Sequence, residues 1–408
     1  MPKQTSAIDS ALVTPCIFRL ARPLGFACAA LLLGARALAQ PSTSPILTPV
    51  QTLAPTEQET YPTPGSYPYD LIFGGSLAVN DHTILASMSR YNNETGRIAV
   101  FDKAPNGLWV RTDSIDPTPQ IEYDYFGGMW KLDHDYLMAG AGTGTFIFHR
   151  IHGTWVQTDK LNGVIAWGDA GQTIDPPWAF VVGDVYRITP EGQMMKTGQT
   201  LSDSVPPGLT SFGGTEAADG ETLAIADVSY NNDQGTVFVY NHEHGQWVQK
   251  QQLVAADGVP SDVFGNGIAL SGDLMAITAS GRNLRYEDPN CPGTYYTGGS
   301  VYLFKRIEGV WTQQEELNAQ CVSYGVQVDI SREWLALGTG GQGIVFHRTR
   351  EKGPNMFVPF GQTDPTITGF TMKMSGHTMA ISTGADEEFP PGAVYVYDLE
   401  AKEKGEGH

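Results

Sequence analysis

Short apolar runs alternate with polar turns along most of the chain from residue 69 onward. Two examples are Thr222–Ala226 and Leu274–Thr278, and a second kind of run, such as Val301–Phe304, mixes β-branched and aromatic residues. Gly, Asn and Asp bound these runs, which are too short for helices. The pattern therefore predicts an all-β protein built from many short strands.

The same unit recurs along the chain. An apolar strand is followed by a polar turn, a Gly-x-Trp and an alternating strand, as in 144–163, 235–258 and 298–319. Each unit opens with an aromatic–Gly pair, and these pairs lie roughly 40 to 60 residues apart, the repeat length of propeller blades. The pairs are Phe73-Gly74, Phe126-Gly127, Trp167-Gly168, Phe212-Gly213, Phe264-Gly265, Tyr324-Gly325 and the reversed Gly369-Phe370.

This periodicity predicts a seven-bladed β-propeller of four-stranded blades. The last unit ends after Leu399 without a fourth strand, whereas the segment 46–53 resembles a fourth strand with no partner nearby in sequence. We therefore expect an N-terminal strand to close the ring, which removes open sheet edges. The predicted parts are a leader over 1–39, a closing strand and crossover over 40–68, and the propeller over 69–408. The predicted blades are about 69–119, 120–163, 164–208, 209–261, 262–323, 324–366, and 367–408 together with 46–53.

The first 39 residues resemble a cleavable leader. Arginines precede an apolar run over 24–33, and a small-x-small site places cleavage between Ala39 and Gln40. A membrane anchor is the alternative, but the run is too short to span a bilayer and Arg36 interrupts it. The sequence thus predicts a secreted or extracellular protein without membrane insertion, or a periplasmic one if the source is bacterial.

Export has consequences for two residue types. Cys291 and Cys321 remain after the leader is removed, and an even pair in an exported protein predicts a disulfide. Asn93 begins the sequon Asn93-Glu94-Thr95, which predicts a glycoprotein if the source is eukaryotic.

The charge balance narrows the possible partners. The chain has 25 basic and 44 acidic side chains and a net charge of −19. Such a surface repels phosphate backbones and anionic lipids at long range. Nucleic acid is therefore excluded as a partner, and an extracellular glycan, a protein or a small molecule is expected.

The repeat resembles the FG-GAP repeat, the blade unit of integrin-α-like propellers. The residues behind the likeness are the aromatic–Gly pair, the apolar strands, the Gly-x-Val-Tyr-Leu-Phe-like strand and the Gly-x-Trp turn, strongest in blades four and five. The resemblance implies an extracellular binding or adhesion role, and it does not imply one activity. The calcium cage of some members is missing, because turns such as Asp219-Gly220-Glu221 and Ser271-Gly272-Asp273 offer too few oxygens. Neither a metal nor a cofactor is therefore predicted.

Strand order places the 2–3 loops and the crossovers between blades on one face, which we call the loop face. The long blade-five insertion and the crossovers into blades one and two lie there, and loops carry function more often than strands. The candidate ligand-binding residues are Arg282, Arg285, Tyr286, Tyr295, Tyr296, Tyr91, Tyr123 and Tyr125. Arginine and tyrosine suit carboxylates and sugar rings, but self-satisfied charges and aromatic plugs between blades are the competing interpretations.

Two classes of function follow. The first is a secreted propeller that binds or adheres to a glycan or protein through the loop face. The second is a polysaccharide lyase, a hydrolase or a small-molecule cyclase with a site at the channel mouth. No Gly-x-Ser-x-Gly, His-Glu-x-x-His or phosphate loop is present, so no catalytic residue is predicted. Carboxylates that meet across the central channel stay an open possibility.

Overall fold

The computed structural model describes residues 36–37, 45–56, 59, 73–128, 130–163, 171–283, 285–286, 296–318, 327–338, 343–349, 356–364, 367, 369–383 and 392–400. Two compact units divide the chain, residues 1–34 and 35–408, and every described residue belongs to the second. No described helix is long and apolar enough to cross a bilayer.

Seven four-stranded antiparallel sheets form the blades of a ring, which confirms the predicted seven-bladed propeller. Blades one to three contain β3 (Phe73–Val79), β4 (Thr83–Met88), β5 (Arg97–Lys103), β6 (Trp109–Ile115); β7 (Trp130–Asp133), β8 (Tyr136–Ala141), β9 (Gly144–Ile151), β10 (Thr154–Asn162); and β11 (Gln172–Asp175), β12 (Trp178–Val181), β13 (Asp184–Ile188), β14 (Met194–Thr200). Blades four and five contain β15 (Glu216–Asp219), β16 (Thr222–Asp227), β17 (Thr236–Glu243), β18 (Gln246–Leu253); and β19 (Phe264–Ser271), β20 (Leu274–Ala279), β23 (Ser300–Ile307), β24 (Val310–Asn318). Blades six and seven contain β25 (Val328–Ile330), β26 (Trp334–Gly338), β27 (Gly343–Arg348), β28 (Phe357–Gln362); and β29 (Gly369–Ser375), β30 (Thr378–Thr383), β31 (Val394–Asp398), with β2 (Gln51–Leu53) as the fourth strand.

A few elements lie outside the blade pattern. The hairpin β21 (Arg285–Tyr286) and β22 (Tyr296–Thr297) rises from the blade-five insertion, and β1 (Arg36–Ala37), within the predicted leader, pairs in parallel with β24. Two four-residue turns, α1 (Tyr91–Glu94) and α2 (Tyr230–Asp233), occupy 2–3 loops, and Leu201–Ser204 form a 3-10 turn.

Burial explains why the inner and outer strands differ in sequence. The second strand of a blade lies between two neighbouring blades, so all six residues of Thr222–Asp227 and of Leu274–Ala279 are buried. Such strands read as continuous apolar runs. The fourth strand lies at the rim, and Gln246–Leu253 alternates between exposed and buried positions. The alternating Gly-x-Trp segments are therefore the outer edges of blades.

Hydrophobic clusters hold the blades together. Among the described residues each of the seven blade interfaces contains one, built from strands of both neighbours. At the interface of blades seven and one, Leu53, Val394 and Val396 pack with Phe73 and Leu77. Burying a side chain of this size contributes about 1.5–3 kcal/mol.

The aromatic–Gly pair and the glycine before the third strand form one contact between blades. Gly96 bridges Phe126 and Gly235 bridges Phe264, each in parallel. A Cβ on Gly96 would lie 2.2 Å from the Phe126 carbonyl oxygen, and one on Gly235 would lie 2.0 Å from that of Phe264. Both glycines also have positive φ, 88° and 86°. Only glycine fits such a position, which explains why glycine recurs before the third strand of these blades.

Outer strands are joined by a second periodic contact. The Gln199 side chain accepts from the Trp247 N–H at 3.1 Å and donates to its carbonyl at 2.6 Å, thereby linking blades three and four. Gln251 does the same to Trp311 of blade five, at 2.9 and 2.7 Å. Gln51 repeats the pattern on Trp109 of blade one, at 2.8 and 2.7 Å. We call these double hydrogen bonds the glutamine clamps.

The segment 45–53 contacts three blades. Leu47 donates its N–H to the Gln362 carbonyl of blade six at 2.7 Å, and β2 pairs antiparallel with β31, with Gln51 opposite Val396. The clamp from Gln51 then reaches blade one. Whether the ring depends on this segment for its stability stays a prediction.

Candidate functional site

Two corners of the loop face share one backbone. In the first corner (91–96 with 121–127), the carbonyls of Asn93 and Glu94 accept N–H groups from Tyr123 at 3.1 Å and Tyr125 at 2.8 Å. In the second corner (230–235 with 259–265), the matching carbonyls of residues 232 and 233 accept from residues 261 and 263 at 3.0 and 2.8 Å. Each corner thus binds a 2–3 loop to the entry of the next blade.

The sequence dictates this backbone. Asn92, Asn93 and Glu94 have φ of 50°, 57° and 59°, and Asn231, Asn232 and Asp233 have 50°, 60° and 60°. Asparagine and aspartate tolerate the left-handed region better than other non-glycine residues, so the Asn-Asn pair selects this turn. The next-blade residues at 123, 125, 261 and 263 also have positive φ, which costs about 1–2 kcal/mol each. Because both corners carry this strain, it belongs to the scaffold.

A buried aspartate secures each corner. Asp124 and Asp262 are each 2% exposed. The Asp124 carboxylate accepts the Thr143 N–H at 2.6 Å and the Thr143 hydroxyl at 2.8 Å. Asp262 accepts from Arg282 Nη1 at 3.1 Å. The corner is therefore rigid, and its exposed side chains keep fixed positions.

The side chains of the two corners differ. Tyr123 is 67% exposed in the first corner, where the second has Ser261. The Tyr125 hydroxyl donates to Glu94 Oε2 at 2.5 Å, and this hydrogen bond raises the tyrosine pKa. Val263 stands at the matching position of the second corner. At the position of Tyr123, the first corner thus presents an exposed aromatic ring where the second corner has a serine.

Tyr91 and Asn93 complete the first corner. The Tyr91 ring is half-buried against the core of blade one, and the Arg97 guanidinium lies 4.3 Å from its centre. Asn93 is exposed, with its amide 3.4 Å from Glu122 Oε1. The structure therefore brings Tyr91, Tyr123 and Tyr125 together, with the first acting as support and the second facing solvent.

The predicted blade-five residues fall into two groups. Arg282 is held among three carboxylates: it contacts Asp257, Asp262 at 3.1 Å and Glu316 at 3.8 Å. Its charge is thus satisfied within the protein, and its role in ligand binding stays a prediction. Arg285 pairs with Thr297, and Tyr286 with Tyr296, in the β21–β22 hairpin. Tyr295, Cys291 and Cys321 lie outside the described residues, as do Ala39 and Gln40 of the predicted cleavage site.

The central channel contains charges that the sequence analysis did not single out. The innermost strands of all seven blades line a cavity of about 220 Å³, and polar atoms make up most of its accessible wall. Its charged lining residues are Lys131, Asp133, Glu216, Asp329 and Lys373. A recognisable signal exists, because Val328-Asp329-Ile330 and Met372-Lys373-Met374 place one charge between two apolar residues. Assigning these charges to the channel required knowing which strands are innermost.

Glu216 has the most perturbed environment in the channel. It is 1% exposed, and its Oε1 accepts the Gly183 N–H at 2.8 Å. Its buried Oε2 has no hydrogen-bond partner. Burial raises the Glu216 pKa to about 8, against the opposing effects of the Gly183 N–H and Lys131. The carboxyl group is thus mostly protonated at neutral pH.

Asp329 is better satisfied than Glu216. Its oxygens accept the N–H groups of Ile330 at 3.0 Å and Met374 at 2.8 Å. Burial raises its pKa, and Lys373 is the largest opposing influence. The channel therefore combines the hydrogen-bonded carboxyl group of Asp329, the incompletely bonded one of Glu216, that of Asp133 and two ammonium groups.

Other sequence features take structural roles. His242, near the end of β17, binds Glu221 at 2.7 Å and packs against Trp178 and Trp247. Within the described part of the chain, no group of three or more His, Cys, Asp or Glu residues is placed to hold a metal ion. A cavity of about 700 Å³ on the opposite face is mainly apolar and is lined by residues that include Tyr136, Pro177 and Met195.

Comparison with known proteins supports the repeat assignment. The family model described as the FG-GAP repeat matches residues 247–304, which run from β18 of blade four into β23 of blade five. The chain is thus a seven-bladed β-propeller that is similar to the FG-GAP repeat over this segment, and for that likeness we call it an FG-GAP-type propeller. No curated protein matches its sequence at a significant level.

Solved propellers resemble this FG-GAP-type propeller only in outline. A chain from the S. cerevisiae Dbp5 complex bound to Nup159 is 8% identical, with 89% of this chain and 98% of that chain covered and a TM-score of 0.44. The N-terminal domain of Nup159 is 8% identical, with 90% of this chain and 100% of that chain covered and a TM-score of 0.43. Kluyveromyces lactis Hsv2p is 13% identical, with 76% of this chain and 89% of that chain covered and a TM-score of 0.45. At these values the likeness carries no information about function.

Proposed function

We propose that this FG-GAP-type propeller is an exported recognition protein that binds an extracellular glycan, or a glycan-bearing protein, at the first corner. The observation that carries the proposal is the contrast between the two corners. They share a backbone, but only the first has an exposed tyrosine, Tyr123, beside the polar side chains of Asn93 and Glu122.

This combination suits a sugar ring. A tyrosine face buries the apolar side of a ring with little loss of side-chain freedom, and neighbouring amides and carboxylates bond its hydroxyls. The corner is held rigid by the contacts of Asp124 and by the Tyr125–Glu94 hydrogen bond at 2.5 Å. Pre-organisation of this kind lowers the entropic cost of binding. The acidic chain favours neutral glycans over sulfated or uronate-rich ones.

A glycan array tests the proposal with a matched pair of variants. The double variant Tyr123→Ser with Tyr125→Val installs the residues of the second corner on a backbone that already accepts them. It should fold normally and lose the array signal, whereas the control Ser261→Ala should keep it. Equal signals from the wild type and the double variant would place recognition elsewhere.

The enzyme alternative has one observation in its favour, the raised pKa of Glu216 in the channel. A general acid works best when its pKa lies near the operating pH, and about 8 meets that condition. The assay is release of reducing ends from a panel of neutral polysaccharides. Turnover that Glu216→Gln abolishes would support the enzyme, and no turnover with an intact array signal would support the binding protein.

A further inference from the structure

The central channel differs from the first corner in place and chemistry. It lies on the axis of the ring, its volume is about 220 Å³, and all seven innermost strands contribute to its wall. That volume corresponds to roughly seven water molecules at liquid density. Only a small ligand of a few heavy atoms fits, so a glycan of the kind proposed for the corner cannot enter it whole.

One buried oxygen in this wall lacks a partner. Glu216 is 1% exposed, one of its oxygens accepts the Gly183 N–H, and the other has no hydrogen-bond partner. Buried polar atoms almost always have a partner in the protein, in water or in a ligand. Glu216 is one of the lining residues of the cavity, so the channel is a space from which a ligand would approach this carboxyl group.

Charges of both signs line the same channel. Lys131 and Lys373 provide positive charge to the lining, and Asp133 and Asp329 provide negative charge. Lys131 favours the ionised forms of both Glu216 and Asp329, which places its charge within reach of the two carboxyl groups. A purely anionic or purely cationic ligand would meet wall residues of its own charge. A ligand that carries both charges finds an oppositely charged wall residue for each of them.

We propose that the central channel binds a small zwitterion, such as a short-chain amino acid, with its ammonium group at Glu216 and its carboxylate at Lys131 and Lys373. The ammonium group supplies the donor that the free Glu216 oxygen lacks. The apolar part of the ligand meets wall residues such as Ala217, Ile268 and Val328. This proposal rests on the channel alone and is independent of recognition at the first corner.

Proton linkage gives the proposal a specific signature. Burial holds the Glu216 pKa near 8, so the group must lose a proton at pH 7 to bind an ammonium ion as a carboxylate. The charged groups that act on it are Lys131, which lowers its pKa, and Asp184, which raises it. Binding should therefore release a proton at pH 7, and affinity should rise as the pH increases from 7 to 8.

Titration calorimetry on the full-length protein tests the assignment. The probes are glycine and alanine, compared with methylammonium and acetate, which each carry one of the two charges. Measurements in two amine-free buffers that differ in ionisation enthalpy report proton release. We expect glycine or alanine to bind at least tenfold more tightly than either single-charge probe, with release of a proton at pH 7.

Two variants and a control locate the site. Glu216→Gln keeps an oxygen for the Gly183 N–H, and it should weaken glycine binding at least tenfold and abolish proton release. Lys373→Gln should weaken glycine binding similarly while proton release persists at saturation. The control Lys250→Gln changes an outer-surface lysine that pairs with Glu243, and it should bind as the wild type does.

Three outcomes would overturn the proposal. Acetate that binds as tightly as glycine, without proton release, would indicate a simple anion site. If the wild-type protein gives no binding heat with either amino acid at tens of millimolar, the channel does not bind amino acids. Unchanged affinity in a folded Glu216→Gln variant would remove the ammonium contact. None of these outcomes bears on the glycan array.

Discussion

Replacing Gln51 by alanine tests how the ring is closed. Blades seven and one are not consecutive in sequence, so their outer strands are joined by the clamp from Gln51 to Trp109, at 2.8 and 2.7 Å, and by the packing of Leu53. The same clamp occurs inside the chain at Gln199–Trp247 and Gln251–Trp311. The interior clamps are matched controls, because covalent connections also link their blades.

The loss of stability expected for Gln51→Ala follows from the two hydrogen bonds of its clamp. Each is worth about 0.5–1.5 kcal/mol, so Gln51→Ala should lower the free energy of unfolding by about 1–3 kcal/mol. Gln199→Ala should cost a similar amount. Deleting residues 40–56 also removes Leu47 and Leu53, 6% and 3% exposed, at about 1.5–3 kcal/mol each. The total for the deletion is then about 4–9 kcal/mol.

Two assays separate closure from ordinary local stability. Urea unfolding reports the global free energy, and brief proteolysis reports local opening of the segment 45–56. Gln51→Ala should accelerate cleavage in that segment, whereas Gln199→Ala should not, because only the first clamp holds that segment in place. If the deletion melts at the wild-type temperature, or if Gln51→Ala changes neither observable, the N-terminal strand does not close the ring.

Three further predictions concern single groups. Because the folded pKa of Glu216 lies near 8, above its unfolded value of about 4.3, wild-type stability should fall as pH rises between these values. Glu216→Gln should remove this loss, so above pH 8 its free energy of unfolding in urea should exceed that of the wild type by on the order of 3–5 kcal/mol. Equal free energies of unfolding above pH 8 would refute the raised pKa of Glu216. Asn93 should carry a glycan when the protein is secreted from a eukaryotic host, and mass measurement of unmodified material would contradict its accessibility. Cys291 and Cys321 should be bridged, with stabilisation of roughly 3–4 kcal/mol for a loop of about 30 residues. Two free thiols in unfolded, unreduced protein would exclude that bridge.

Sequence periodicity was sufficient to predict the fold, because the residues that recur in each repeat make the contacts between blades. Gly96 and Gly235 approach the phenylalanine of the next blade too closely for any Cβ, so the sequence repeats them. The outer glutamines bind the next tryptophan backbone, and they also recur. A contact made in every blade leaves a period in the sequence, and a period can be detected without a structure.

The candidate sites depend on what does not repeat. Tyr123 and Ser261 occupy one backbone position in two blades, and only the structure showed that they are equivalent. Arg282 suggested ligand binding from its residue type, but Asp257, Asp262 and Glu316 surround its guanidinium. The partners come from distant segments, and their approach depends on packing that a single sequence does not reveal.

The affinity of the first corner for a ligand is the most direct test of the proposed function. The neutral glycan with the strongest array signal would be titrated into the wild type and into the Tyr123→Ser, Tyr125→Val variant at equal salt and pH. We expect at least a tenfold loss of affinity, about 1.4 kcal/mol, in a variant that still unfolds cooperatively. Equal dissociation constants for the two proteins would contradict it.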